Sequence, residues 1–153
     1  QKEEFDETAA AVHELRAQDY TVSYFIPDFE IPIPYCVWPR VIDSFLAAYT
    51  AEDRVALVLA MPDIEDADAY ANAIASRITE TGEGAPLILS HRCGAQMPFS
   101  LAALQESSVY ITTREHIASV AVDYAADAGL TIRYGLDHGA LLFPPIKNEK
   151  AAR

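Results

Sequence analysis

Cysteine is scarce: Cys36 and Cys93 are the only two in 153 residues, far apart and without CxxC or ligand-like spacing. This excludes a disulfide framework and gives no support to a zinc site, so both are read as reduced thiols and no metal is expected. Basic residues are scarce as well, 11 Lys and Arg against 23 Asp and Glu, for a net charge of −12. A chain of that sign repels phosphate backbones and anionic lipids unless a basic patch offsets it, and the sequence holds no such patch. Neither nucleic acid nor a membrane is an expected partner. Charges or prolines break every apolar run before about 18 residues, the length a membrane span needs. The start, QKEEFDETAAAV, has neither a basic leader nor an apolar h-region, so a cytoplasmic location is expected. It opens on Gln1 rather than Met, which suggests a fragment of a longer polypeptide whose missing part carries part of the function. P-loop, GxGxxG and HExxH patterns are all missing, and no cofactor is expected. No internal repeat is visible.

Hydrophobic residues make up 51% of the chain, enough for the core of one domain at this length. Apolar residues recur at i, i+3, i+4 and i+7 in three places, the spacing that lines one face of a helix. Val41, Ile42, Phe45, Leu46 and Tyr49 form the first stripe. Ala67, Tyr70, Ala71, Ile74, Ala75 and Ile78 form the second, and Ile117, Val120, Ala121, Tyr124, Ala125 and Ala128 the third. A weaker pattern of Phe5, Ala9, Val12 and Leu15 predicts an N-terminal helix, and a short helix over 99–106 follows Pro98. Between the helices lie strand-length apolar runs at 21–26, 55–60, 87–90, 109–113 and 131–134. VALVLA and PLILS are continuous rather than alternating, as strands covered on both faces are. The expected fold class is therefore α/β: a Rossmann-like parallel sheet of five or six strands with helices on both faces. The organisation expected is an N-terminal helix (1–19), the α/β domain (20–146) and a frayed tail (147–153).

Ligands of such sheets sit outside the carboxyl ends of the strands, where the strand order reverses. In the common order 3-2-1-4-5 that crevice lies between the first and fourth strands. One loop there spans Pro27, Pro32, Pro34 and Pro39 and ends in Trp38-Pro39-Arg40; its prolines exclude helix and central strand. The other is Thr112-Thr113-Arg114-Glu115-His116, which leads into the third helix. The free N–H groups of that helix start suit an anion such as a diphosphate.

The stretch VYITTREHIASVAVDYAADAGLTIRYGLD resembles the donor-binding domain of GT-B glycosyltransferases. In that family a strand ends in a polar turn, a Glu opens a helix, a second acid follows eight positions on, and a Gly precedes the next strand. Glu115, Asp123 and Gly129 fit this frame. Ile111-Thr112-Thr113-Arg114 and Gly135-Leu136-Asp137 resemble more specifically the bacterial enzymes of cell-surface polysaccharide synthesis. Arg40 and Tyr49 occupy the places of a basic residue that opens the family's first helix and an aromatic near its end. The resemblance covers residues 20–143. It implies a nucleotide diphosphate sugar as ligand, with Glu115 on the sugar hydroxyls, Asp123 on the ribose and Arg40 on the diphosphate, within a set that also includes Thr112, Thr113, Arg114, His116 and Ser119. It also implies a partner, either a missing N-terminal acceptor domain or a second copy of the chain. His116 stands where the family commonly has Gly, and no second basic residue accompanies Arg40. A non-catalytic module that kept the fold is thus the alternative, and no catalytic residue is assigned.

Each of these residues also has a plainer role open to it. Glu115 is favoured at a helix start by the helix dipole. Asp123 shares a polar face with Ser119 and Asp127, Arg114 can offset local acidity, and Arg40 can pair with Asp43 at i+3. His91, Arg92 and Cys93 are expected in a surface loop, Asp137-His138-Gly139 in a turn, Trp38, Tyr24 and Tyr35 in the core, and His13 in solvent.

Overall fold

The run Val55–Met61 is buried along its whole length and lies second in a five-stranded, all-parallel sheet of order β3-β2-β1-β4-β5. The computed structural model describes residues 6–94 and 98–146, which form an α/β domain with a Rossmann-like sheet. Its strands are β1 (Thr21–Phe25), β2 (Val55–Met61), β3 (Leu87–Arg92), β4 (Val109–Thr112) and β5 (Thr131–Tyr134). Its helices are α1 (Glu7–Ala17), α2 (Trp38–Ala48), α3 (Ala67–Thr81), α4 (Leu101–Glu106), α5 (His116–Asp127) and α6 (Gly139–Leu142).

The chain steps from β1 outward to β2 and β3, then returns to β4 on the other side of β1. With crossovers of one hand, that reversal puts the two pairs of connecting helices on opposite faces. Two cores result. One joins α2, α3 and α6 to Phe25, Leu57, Leu59, Met61, Val109 and Ile111. The other joins α1, α4 and α5 to Val22, Tyr24, Ala56, Val58, Ala60 and Tyr110. Successive residues of β1 and β2 alternate between these cores, which is why β2 reads as an unbroken apolar run and β1 is buried from Val22 to Phe25 with only Ser23 polar among those residues.

Five expectations from the sequence need correction. Tyr35 is not in the core but 65% exposed in the loop behind β1. The run 87–90 is not buried on both faces: β3 is an edge strand with Leu87, Ser90 and Arg92 exposed. It also extends two residues further, taking His91 and Arg92 out of the expected loop and pairing them with Ala60 and Met61. Helix α2 begins at Trp38 rather than after Pro39, because proline is tolerated in the first turn, where its missing N–H has no partner to lose. The expected Asp137-His138-Gly139 turn leads straight into α6, with His138 as its N-cap. Phe5 and the tail 147–153 lie outside the described residues.

Candidate functional site

The reversal of strand order falls between β1 and β4, so their carboxyl ends open the crevice. Behind β1 the chain runs through Asp28, Phe29 and Glu30 to α2; behind β4 it runs through Thr113 and Arg114 to α5. Asp28 is 2% exposed. Its carboxylate accepts from the backbone N–H of Val37 at 2.8 Å and of Trp38 at 3.0 Å. The chain thus supplies its own anion to the N-terminus of α2, where Val37 is the N-cap and offers no side-chain acceptor. Pro39 has no N–H to give, so little of this helix start is left for an external anion.

At α5 the arrangement is the reverse. Glu115 is the N-cap, in extended conformation, yet its carboxyl makes no capping bond. Its own N–H donates to Thr113 Oγ1 at 3.2 Å; in the first turn the Ala118 N–H donates back to the Glu115 carbonyl at 3.0 Å, which leaves the N–H groups of His116 and Ile117 open. Burial pushes the Glu115 carboxyl up to about 7, helped by the negative charges of Asp28 and Glu30 across the crevice. Burial also raises Asp28, against the lowering effect of its two amide bonds. The loops behind β1 and β4 therefore share one acidic field, with Asp28 and Glu30 close enough for their charge to act on Glu115.

The remaining residues named from the sequence divide into two groups. Thr112 ends β4, with Thr113 buried beside it. Exposed Arg114 donates to the Tyr134 hydroxyl at 3.1 Å. Arg40 does not pair with Asp43, which binds Arg77 instead at 3.0 Å; its guanidinium donates to the Asp137 carbonyl at 3.2 Å. Arg114 thus reaches the last residue of β5 and Arg40 the turn after it. That turn approaches closely at Gly135, where a Cβ would lie 2.9 Å from Val37 Cγ2 and 3.4 Å from the Thr112 carbonyl oxygen. His116 and Ser119 are exposed on the first turn of α5, and the Ser119 hydroxyl donates back to the His116 carbonyl at 2.7 Å. Asp123 is exposed two turns along.

Two other features were not legible as such. Phe29 and Tyr70 stack at 4.2 Å, and Trp38 meets each edge-on. They border a cavity of about 580 Å³ between the loops behind β1 and β2, lined also by Glu30, Ile64, Glu65 and Asp66. On the opposite face His91 is not a loop residue but part of a half-buried network. The Tyr24 hydroxyl accepts from the Ser100 N–H at 2.9 Å and lies 3.0 Å from His91 Nε2. The Tyr24 hydroxyl proton is free to go to that nitrogen, the arrangement in which the imidazole carries its own proton on Nδ1, 3.6 Å from Cys93 Sγ. Burial lowers His91 and pushes the Cys93 thiol up to about 11. A neutral imidazole beside a neutral thiol is a packing arrangement rather than an activated nucleophile. The Ser100 hydroxyl is likewise held by Asp6 at 2.5 Å.

Comparison with protein-family models, with curated proteins and with solved structures finds no match to the chain.

Proposed function

We propose that the domain binds a nucleotide diphosphate sugar at the crevice outside β1 and β4, as the donor-binding part of a glycosyltransferase acting in cell-surface glycan synthesis. The observation that carries this reading is Glu115: an N-cap carboxyl free of any capping bond, at the switch point, beside an open helix start. Held up to about 7, it is divided between acid and carboxylate near neutrality and can both accept from and donate to neighbouring sugar hydroxyls. The first-turn amides of α5 and Arg114 would take the diphosphate. Ser119 and Asp123 continue along α5 toward the ribose, and Arg40 flanks the site from the β5 side. A GT-B reaction needs a cleft between two such domains, so this domain by itself binds the donor without turning it over.

A second reading is favoured by Asp28, which already fills the start of α2 and adds negative charge where a diphosphate would lie. On that reading the chain is a non-catalytic module with a glycosyltransferase-like fold. Calorimetric titration with UDP, GDP and their sugars, repeated on Glu115→Ala and Arg114→Ala, separates the two. Saturable binding of a nucleotide sugar that both variants weaken supports the donor site; no heat from any of them at millimolar concentration removes it and leaves the module.

A further inference from the structure

The cavity of about 580 Å³ beside Trp38 lies on the β2 side of the loop behind β1; it shares the charge of Glu30 with the Glu115 crevice, but the rest of its lining is different. The volume falls within the roughly 300–1,000 Å³ of small-molecule sites. Its floor is the Phe29, Trp38 and Tyr70 cluster, and Ile31, Ile33 and Ile64 form apolar walls. Ile33 is 79% exposed, an apolar side chain left in water at the mouth. The charged residues lining it are Glu30, Glu65 and Asp66, with no Lys, Arg or His among the lining residues. Among the described residues none of these three carboxylates takes part in a salt bridge. Asp66 occupies the N-cap position of α3 without using its side chain to cap the helix, so its carboxylate has no helical duty.

We propose that this cavity binds a small organic cation with an apolar or aromatic body, of the arylalkylamine class. An anion would meet three unpaired carboxylates. A neutral apolar molecule would fill the floor and leave those charges uncompensated. An ammonium at the rim with a ring against the floor satisfies both surfaces at once. The indole of Trp38 already has one cationic neighbour from within the fold, the Arg77 guanidinium 5.3 Å from its ring centroid, and Arg77 is held there by Asp43. Apart from Glu30 this site uses none of the residues assigned to the donor site, and it stands whether or not a nucleotide sugar binds.

Trp38 is the sole tryptophan of the chain, so its emission reports this cavity directly. The test titrates the protein with phenethylamine and with phenethyl alcohol, which differ only by ammonium against hydroxyl, and follows Trp38 fluorescence. Saturable quenching or shift by the amine is expected, with the alcohol at least about tenfold weaker. Glu65→Gln and Asp66→Asn, both at exposed rim positions, each weaken the amine by about threefold, the scale of a solvent-exposed ion pair, and added salt weakens it further. Circular dichroism on both variants separates lost binding from lost fold. Equal affinity for amine and alcohol, absence of a Trp38 response to either at millimolar concentration, or amine binding unchanged in both folded variants would overturn the proposal.

Discussion

Glu115→Gln removes a charge without changing shape, and its effect on stability must depend on pH in a defined direction. The carboxyl rises from its ordinary 4.5 to about 7 in the folded chain. At about 1.4 kcal/mol per factor of ten in proton affinity, that rise would be worth about 3 kcal/mol in a wholly dry site. The side chain is only half-buried, and solvent screening brings the figure to about 1 kcal/mol. The sign follows from proton uptake: between 4.5 and about 7 the folded state holds a proton that the unfolded state has released. Stability therefore falls as pH rises through this window and levels off above it.

Glutamine cannot ionise and escapes that loss. The variant should match the wild type near pH 4.5 and exceed it by about 1 kcal/mol at pH 8, a gain of about 3 °C in Tm for a domain of this size. Urea and thermal unfolding of both proteins across this range measure it. A difference that does not change with pH, or a variant less stable at pH 8, would refute the picture of a carboxyl desolvated and crowded by Asp28 and Glu30.

Asp28→Ala orphans two buried amides and should cost about 2–4 kcal/mol in urea unfolding; a loss under 1 kcal/mol would mean the start of α2 finds another acceptor. Glu30→Gln should lower the Glu115 titration below about 7, read from its side-chain carbonyl shift by NMR, and by the same linkage should raise stability at pH 8 by a few tenths of a kcal/mol while leaving it unchanged near pH 4.5. Gly135→Ala places a methyl against Val37, Val41 and the Thr112 carbonyl and should cost about 1–3 kcal/mol by overpacking, measured as a fall in Tm. Of the two thiols, Cys36 is half-exposed and Cys93 buried, so a thiol reagent should titrate Cys36 in the native protein and Cys93 only after denaturant is added; two rapid equivalents would contradict the packed His91–Cys93 arrangement.

The sheet was legible because its information is local. Strands covered on both faces must be apolar at every position, so VALVLA announces itself, and helices with one covered face repeat at 3.6 residues. Whether a strand ends up at the edge is decided by which neighbours the topology supplies, and PLILS carries no local mark of that. The polar His91 and Arg92 that follow were the available hint, since a strand that stays paired while turning polar has one side open. The start of α2 was hidden by Pro39, whose general hostility to helices masks its tolerance in the first turn.

The site divides along the same line. Glu115 could be named because its cue is its own position at the head of a periodic helix. Asp28 could not, because its meaning depends on amides nine and ten residues away, across a proline-rich loop with no period of its own. That carboxylate sets the electrostatics of the crevice. Two helices start at the switch point, and each start attracts negative charge. The chain satisfies α2 internally and leaves part of the α5 start open, but burial together with the internal anion raises the cost of a second charge nearby, and Glu115 holds its proton to about 7. A ligand at α5 is therefore selected twice over: its negative charge is welcomed by the helix start and opposed by Asp28 and Glu30. Hydroxyl-rich ligands whose charge can lie toward Arg114 and the β5 turn meet both conditions better than compact anions do.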